Sequence, residues 1–258
     1  KRQGPNGAAV GPDGAMYVCN NGGCFEWHDF GGLTIPGPLP RSWKGGSIQR
    51  VDLDTGDVVT LYAECEGRQL RAPNDLVFDA HGGFWFTDHG VRAERSSDRT
   101  GVFYAQADGS AITEVIFPLD APNGVGLSPD GNRIYVAETH TGRLWAWDVT
   151  APGVAASDPG AINAGGELLC GLPDMQLLDS LAVDAAGNVC VGTLVNGGIT
   201  IVSPDGSSYE HVPMPDMMIT NLCFGGPDLT TAYVTMSGTG QLGRGPWSGP
   251  GLALAHTA

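Results

Sequence analysis

Residues 122–139 read PNGVGLSPDGNRIYVAET: an Asn-Gly step, a short apolar run, the turn Pro129-Asp130-Gly131 and a second apolar run. In Pro-Asp-Gly the proline presets φ, the Asp carboxylate bonds its own backbone and the glycine takes positive φ, which is tight-hairpin chemistry. The flanking runs are apolar, as in strands buried on both faces. The same grammar recurs as PNGAAVGPDGAMYVCN from Pro5, PNDLVFDAHGGFWFTD from Pro73, LDSLAVDAAGNVCVGT from Leu178 and TNLCFGGPDLTTAYVT from Thr220. Repetition at this scale decides the architecture before any single motif does.

Outward from these hairpins, a third strand headed by Gly follows most copies: Gly46–Val51, Gly101–Tyr104, Gly142–Trp147 and Gly198–Val202. A fourth follows in Val58–Tyr62 and Thr113–Phe117. Four antiparallel strands per repeat make a propeller blade, and the Asn or Asp positions 6, 74, 123, 179 and 221 are spaced by 68, 49, 56 and 42 residues, blade-like once insertions are allowed. A β-sandwich has no reason to repeat one unit five times, and a β-helix needs shorter coils. The reading is an all-β propeller forming a single domain over residues 1–258. The largest insertion, between Asn21 and Gly46, is expected to form a long loop over one face.

Composition agrees. The chain of 258 residues holds 40 glycines and 18 prolines, too many for long helices, yet 41% of it is hydrophobic, enough for a core. A formal charge of −15, with Lys1 and Lys44 as its lysines, opposes nucleic-acid and anionic-membrane partners. No apolar run is long enough to span a bilayer, and the start of the chain lacks the apolar stretch of a signal peptide, so a cytoplasmic location is expected, as monomer or weak homodimer. Cys19, Cys24, Cys65, Cys170, Cys190 and Cys223 form no CxxC pair and read as buried free thiols; a Cys19–Cys24 disulfide stays open.

A polar residue stands just before the innermost strand of each repeat: Asn6, Asn74, Asn123, Asp179 and Asn221. In a propeller these positions converge on the mouth of the central channel. A ring of carboxylate and amide oxygens suits a hard divalent cation such as Ca²⁺ or Mg²⁺. Asn and Asp also form turns there by bonding their own backbone, and the repeat by itself favours that plainer role. No GxSxG elbow, HExxH helix or P-loop is present. Asp52–Asp57 lacks the spacing of an EF-hand and reads as a turn, and His89 and His140 read as loop histidines.

The motifs Ala72-Pro73-Asn74-Asp75, Phe84-Trp85-Phe86-Thr87-Asp88, Ala121-Pro122-Asn123-Gly124, Leu178-Asp179-Ser180 and Thr220-Asn221-Leu222 together resemble the gluconolactonase/regucalcin (senescence marker protein, luciferin-regenerating-like) family over nearly the whole chain. The resemblance implies a six-bladed propeller and a metal-dependent lactonase, with a small-molecule lactone as substrate. It implies one divalent cation, Ca²⁺ foremost and Zn²⁺, Mg²⁺ or Mn²⁺ as alternatives, held by Asn123, Asp179 and Asn74. Asp179 would be the catalytic residue, and Asn74 and Asp75 would bind substrate. Rivals are a noncatalytic calcium-binding or protein-interaction propeller and a phosphotriesterase at the same metal. Two departures stand out. An Arg that some sugar lactonases place before this Asn is Ala72 here, and the family's metal-binding Glu, in an EGP-like motif of the first blade, has no counterpart. The chain opens on a motif resembling the second blade, so the first blade is expected to be missing or incomplete.

Overall fold

Turn chemistry sets the pattern of the fold. The computed structural model describes residues 4–256. At the tip of the 122–139 hairpin, Gly131 takes φ 72°, while the Asp130 carboxylate accepts from the Asn132 N–H at 3.1 Å and from the Ser128 hydroxyl at 2.6 Å. Asp79 and Asp184 repeat the device, each accepting two backbone N–H bonds across its own turn. Each hairpin opens a radial antiparallel sheet. Blade I contains Pro5–Val10, Met16–Asn20, Ser47–Val51 and Val58–Tyr62; blade II contains Pro73–Phe78, Gly83–Asp88, Thr100–Gln106 and Ile112–Leu119. In blade III, Pro122–Leu127, Arg133–Glu138 and Arg143–Ala151 are edged by Glu167–Gly171 and by Val154–Ala155. Blade IV is Leu177–Val183, Val189–Leu194, Gly198–Val202 and Tyr209–Pro213. Blade V has three strands, Ile219–Gly225, Thr231–Met236 and Gln241–Pro246.

The innermost strands follow one another around an axis in chain order. Period-2 alternation feeds the packing on both sides of a blade: Phe84 and Phe86 point into the cluster between blades I and II, whereas Trp85 enters the one between II and III. All three are fully buried, and each contributes about 1.5–3 kcal/mol by leaving water. Trp85 lies edge-on to Tyr104 at 5.0 Å, whose hydroxyl donates to Asp79 at 2.8 Å. Further clusters join III to IV and IV to V.

The described residues form five blades, not the six that the resemblance implied. Among them, four apolar clusters seal four junctions, and none seals V to I. The consequence is visible in the inner strands: those of blades II and III are buried throughout, whereas Pro5, Asn6 and Ala8 in blade I and Cys223 in blade V are exposed. Two segments cross this seam at its rims. The expected long loop after blade I carries a hairpin, Trp27–Phe30 with Leu33–Pro36, and Thr34 donates its N–H to the Gly238 carbonyl of blade V at 2.8 Å. At the opposite rim the C-terminal segment bonds Val183 and Leu229, and its His256 ring meets Phe78 at 5.5 Å. The Asp52–Asp57 segment is a turn, with Asp52 accepting from the N–H groups of Asp54 and Thr55. All six cysteines are free thiols, so no Cys19–Cys24 bridge forms, and all but Cys223 are buried. Burial pushes the Cys24 and Cys190 thiols up to about 12. No helix of the described residues is long and apolar enough to cross a membrane.

Candidate functional site

Each innermost strand begins with an irregularity. Its register against the second strand slips at residues 5–8, 73–76, 122–125, 178–181 and 219–221, so in blades I to IV the Asn or Asp position falls in the irregularity, whereas in blade V Asn221 stays paired with Thr235. A bulge frees a residue from the ladder and re-aims its side chain, here at the channel mouth where all five inner strands start. In blade III, close approach of the neighbouring strand requires the glycine that follows. A Cβ on Gly124 would lie 2.6 Å from the Leu181 nitrogen and 2.8 Å from the Asp179 carbonyl.

The bulges are pinned by threonines at the ends of the second strands. The Thr87 hydroxyl accepts from the Asp75 N–H at 3.2 Å and donates to the Asn123 carbonyl, stitching blade II to blade III. Thr139 Oγ1 accepts from Asn123 Nδ2 at 3.0 Å, and the Thr235 hydroxyl donates to the Asn221 carbonyl at 3.2 Å. The sequence reading did not single these residues out, although Thr87, Thr193 and Thr235 are each the penultimate residue of a second strand and Thr139 directly follows one.

Of the five ring positions, the structure gathers those of blades II to IV. Asn123 is buried, and its Oδ1 accepts from Ser180 Oγ at 3.4 Å. Asp179 lies one residue before Ser180 and accepts that residue's N–H at 3.0 Å. Burial pushes its carboxyl up to about 7, against the Ser180 N–H and the Asn123 amide, and the charge of Asp75 adds to the rise. Asp75 is buried and accepts from the Leu76 N–H at 3.0 Å. Its carboxyl also rises to about 7, through desolvation that outweighs the donors of Leu76, Ser180, Val125 and Leu181. Ser180 thus touches both carboxylates and the Asn123 amide. Asn74 is buried at the same mouth, and its Oδ1 has no hydrogen-bond partner. The other two positions lie outside this group. Asn6 is exposed on the open side, and half-buried Asn221 turns its Oδ1 back to the Leu222 N–H at 2.7 Å.

The histidines read as loop residues come together on this rim. His89 and His140 follow the second strands of blades II and III, and their rings meet edge to face at 5.5 Å. Burial lowers both; His140, pushed further by His89 and Arg92, falls to about 4 and is neutral near pH 7. Ala72 is buried with its N–H on Asp88 at 2.7 Å. The adjacent Arg71 is committed to Asp98 at 2.7 Å and to the face of Trp43 at 4.5 Å. Among the described residues no three His, Cys, Asp or Glu side chains gather as a metal cluster. The oxygen donors available here are two carboxylates and two amides.

A family model described as the SMP-30/Gluconolactonase/LRE-like region matches residues 1–238. A protein of Zymomonas mobilis named gluconolactonase is 28% identical over 239 residues, covering 87% of this chain and 59% of that protein. The lactonase drp35 of Staphylococcus saprophyticus is 29% identical over 214 residues, covering 83% and 58%. This chain therefore spans less than two thirds of the length of these relatives. Among solved structures, a gluconolactonase of Xanthomonas campestris superimposes with a TM-score of 0.70 at 24% identity over 94% of this chain and 71% of its own. A luciferin-regenerating enzyme does so at 0.67 and 16% identity, covering 98% and 96%. Both likenesses concern the fold.

Proposed function

Because the chain belongs to the SMP-30/gluconolactonase/LRE-like family, we propose that it hydrolyses small lactones at the mouth where Asn74, Asp75, Asn123 and Asp179 meet. The observation that carries this reading is the pairing of two desolvated carboxyls, buried Asp75 and half-buried Asp179, each raised to about 7, with an unpartnered buried amide oxygen on Asn74. An orphaned acceptor costs about 1–3 kcal/mol, which a ligand would relieve. Asn74, Asn123 and Asp179 offer the neutral and anionic oxygens that a hard divalent cation takes, with Ca²⁺ foremost. Bound there, such a cation would polarise the lactone carbonyl and stabilise negative charge developing on its oxygen.

The side chains supply the rest. Asp179 is the carboxylate placed to take a proton from the attacking water, and because a cation held by it would lower its basicity, its roles as ligand and as base compete. Water oxygen bonds to the carbonyl carbon, the ring C–O bond breaks, and the departing alkoxide receives a proton to give the hydroxy acid. Asn74 and Asp75 hold the lactone against this attack, and Ser180 fixes the spacing of the two carboxylates. The test is proton release on a lactone panel in a pH-stat, with metal analysis, for the wild type and Asp179→Ala. Hydrolysis that falls at least 100-fold in the variant, together with loss of bound metal, is the expected result. A wild type that binds metal yet opens no lactone would leave the noncatalytic cation-binding reading in its place.

A further inference from the structure

Directly inside the ring, the inner strands enclose a chamber of about 480 Å³, within the size range of small-molecule sites. Its polar side chains are Asp75 and Asn221, both at the ring end; the walls are apolar, with Val10, Leu76, Val125 and Leu181 from four different blades and the rings of Phe78 and Phe224. The floor is the C-terminal segment, where Leu252, Leu254 and Ala255 close the lower end. That segment is held by the Leu252 N–H on the Val183 carbonyl at 3.1 Å and the Gly251 N–H on the Leu229 carbonyl at 2.9 Å. On the side of blades I and V, Ala8 and Cys223 both line the chamber and are both exposed.

We propose that this chamber receives an apolar chain carried by the substrate, so that the favoured lactones are alkyl-substituted rather than polyhydroxylated. The inference rests on the hydrolytic reading of the adjoining mouth. A sugar hydroxyl entering the chamber would lose its water and find apolar walls. A methylene entering it would leave water for contacts of its own kind, and Asp75, shared by mouth and chamber, marks where the polar ring of the lactone must stop. Near the mouth, Arg71 is already engaged by Asp98 and Trp43.

The test uses γ-lactones of increasing alkyl length, from γ-butyrolactone to γ-dodecalactone, together with gluconolactone. The expected kcat/KM rises roughly 3- to 4-fold per methylene until the chamber is full. Ala8→Phe, an exposed lining position outside the catalytic group, flattens the series and leaves γ-butyrolactone turnover unchanged. A second measurement needs no turnover: Cys223 is the exposed thiol among the six, and its alkylation by a maleimide at mildly alkaline pH reports occupancy. 2-Hexylcyclopentanone, which cannot be hydrolysed, is expected to slow labelling at least fivefold, and cyclopentanone is not. Protection without hydrolysis of any lactone would sustain the chamber and sink the hydrolytic reading. Hydrolysis with a flat chain-length series, or labelling of Cys223 indifferent to the alkyl ketone, would overturn the chamber inference.

Discussion

Replacing Asp179 by Asn tests the electrostatics of the mouth without disturbing its shape, because an amide oxygen can still accept the Ser180 N–H. In the folded protein the carboxyl is raised from 3.8 to about 7. A raised acid binds its proton more tightly folded than unfolded, so stability falls as pH rises through that window and levels off above it. A shift of about three units at roughly 1.36 kcal/mol per unit is a burden on the order of 4 kcal/mol above pH 7; coupling to Asp75 shares part of it. For a chain of this size, 1 kcal/mol moves Tm by about 2–4 °C. In excess chelator, Asp179→Asn is therefore expected to melt on the order of 10 °C above the wild type at pH 8 and within about 3 °C of it at pH 4.5. Calorimetry or intrinsic fluorescence across that range reads both. Added Ca²⁺ should raise the wild type and leave the variant unmoved. An equal difference at both pH values, or a variant less stable at pH 8, would refute the assignment of Asp179 as a desolvated carboxylate.

Four further substitutions separate scaffold from site. Trp85→Ala opens a cavity in the cluster between blades II and III and is expected to cost about 3–5 kcal/mol by denaturant unfolding. Gly124→Ala drives a Cβ into the Leu181 and Asp179 backbone, so it should cost about 1–3 kcal/mol and abolish lactone turnover. Gly131→Ala, in an open turn at φ 72°, should cost about 1 kcal/mol with turnover kept. Thr139→Val removes the partner of Asn123 Nδ2 and should lower stability by about 1–2 kcal/mol; metal affinity measured by titration should fall with it, while an unchanged affinity would show that Asn123 needs no such support.

Much of this was legible in the sequence because turns and strands carry local signals. The Pro-Asp-Gly tips, the apolar runs and the Gly-headed strand Gly198–Val202 appear where the repeat placed them. The ring was legible as a list, since each member precedes its strand, but not as a geometry. Whether an Asn faces protein, solvent or its own backbone depends on the neighbouring blade, so Asn6 and Asn221 looked equivalent to Asn123 until packing distinguished them. The His89–His140 contact joins residues of different blades and has no local signature. Thr87 and Thr139 had one, in their recurrence at second-strand ends, but a threonine ending a strand is ordinary on propensity alone. The described residues carry five blades, one for each repeat read in the sequence; the sixth came from the resemblance and is not among them.

The unequal burial of the ring explains why its chemistry is lopsided. Desolvation lifts the carboxyls of Asp75 and Asp179, and desolvation needs protein on both flanks. Blade III is flanked by sealed junctions on each side, and it brings Asn123 between the two acids through Ser180. Blades I and V face the unsealed junction, so a carboxylate at position 6 or 221 would keep its water and an ordinary acidity. The arc from blade II to blade IV therefore holds the groups able to exchange protons near neutrality.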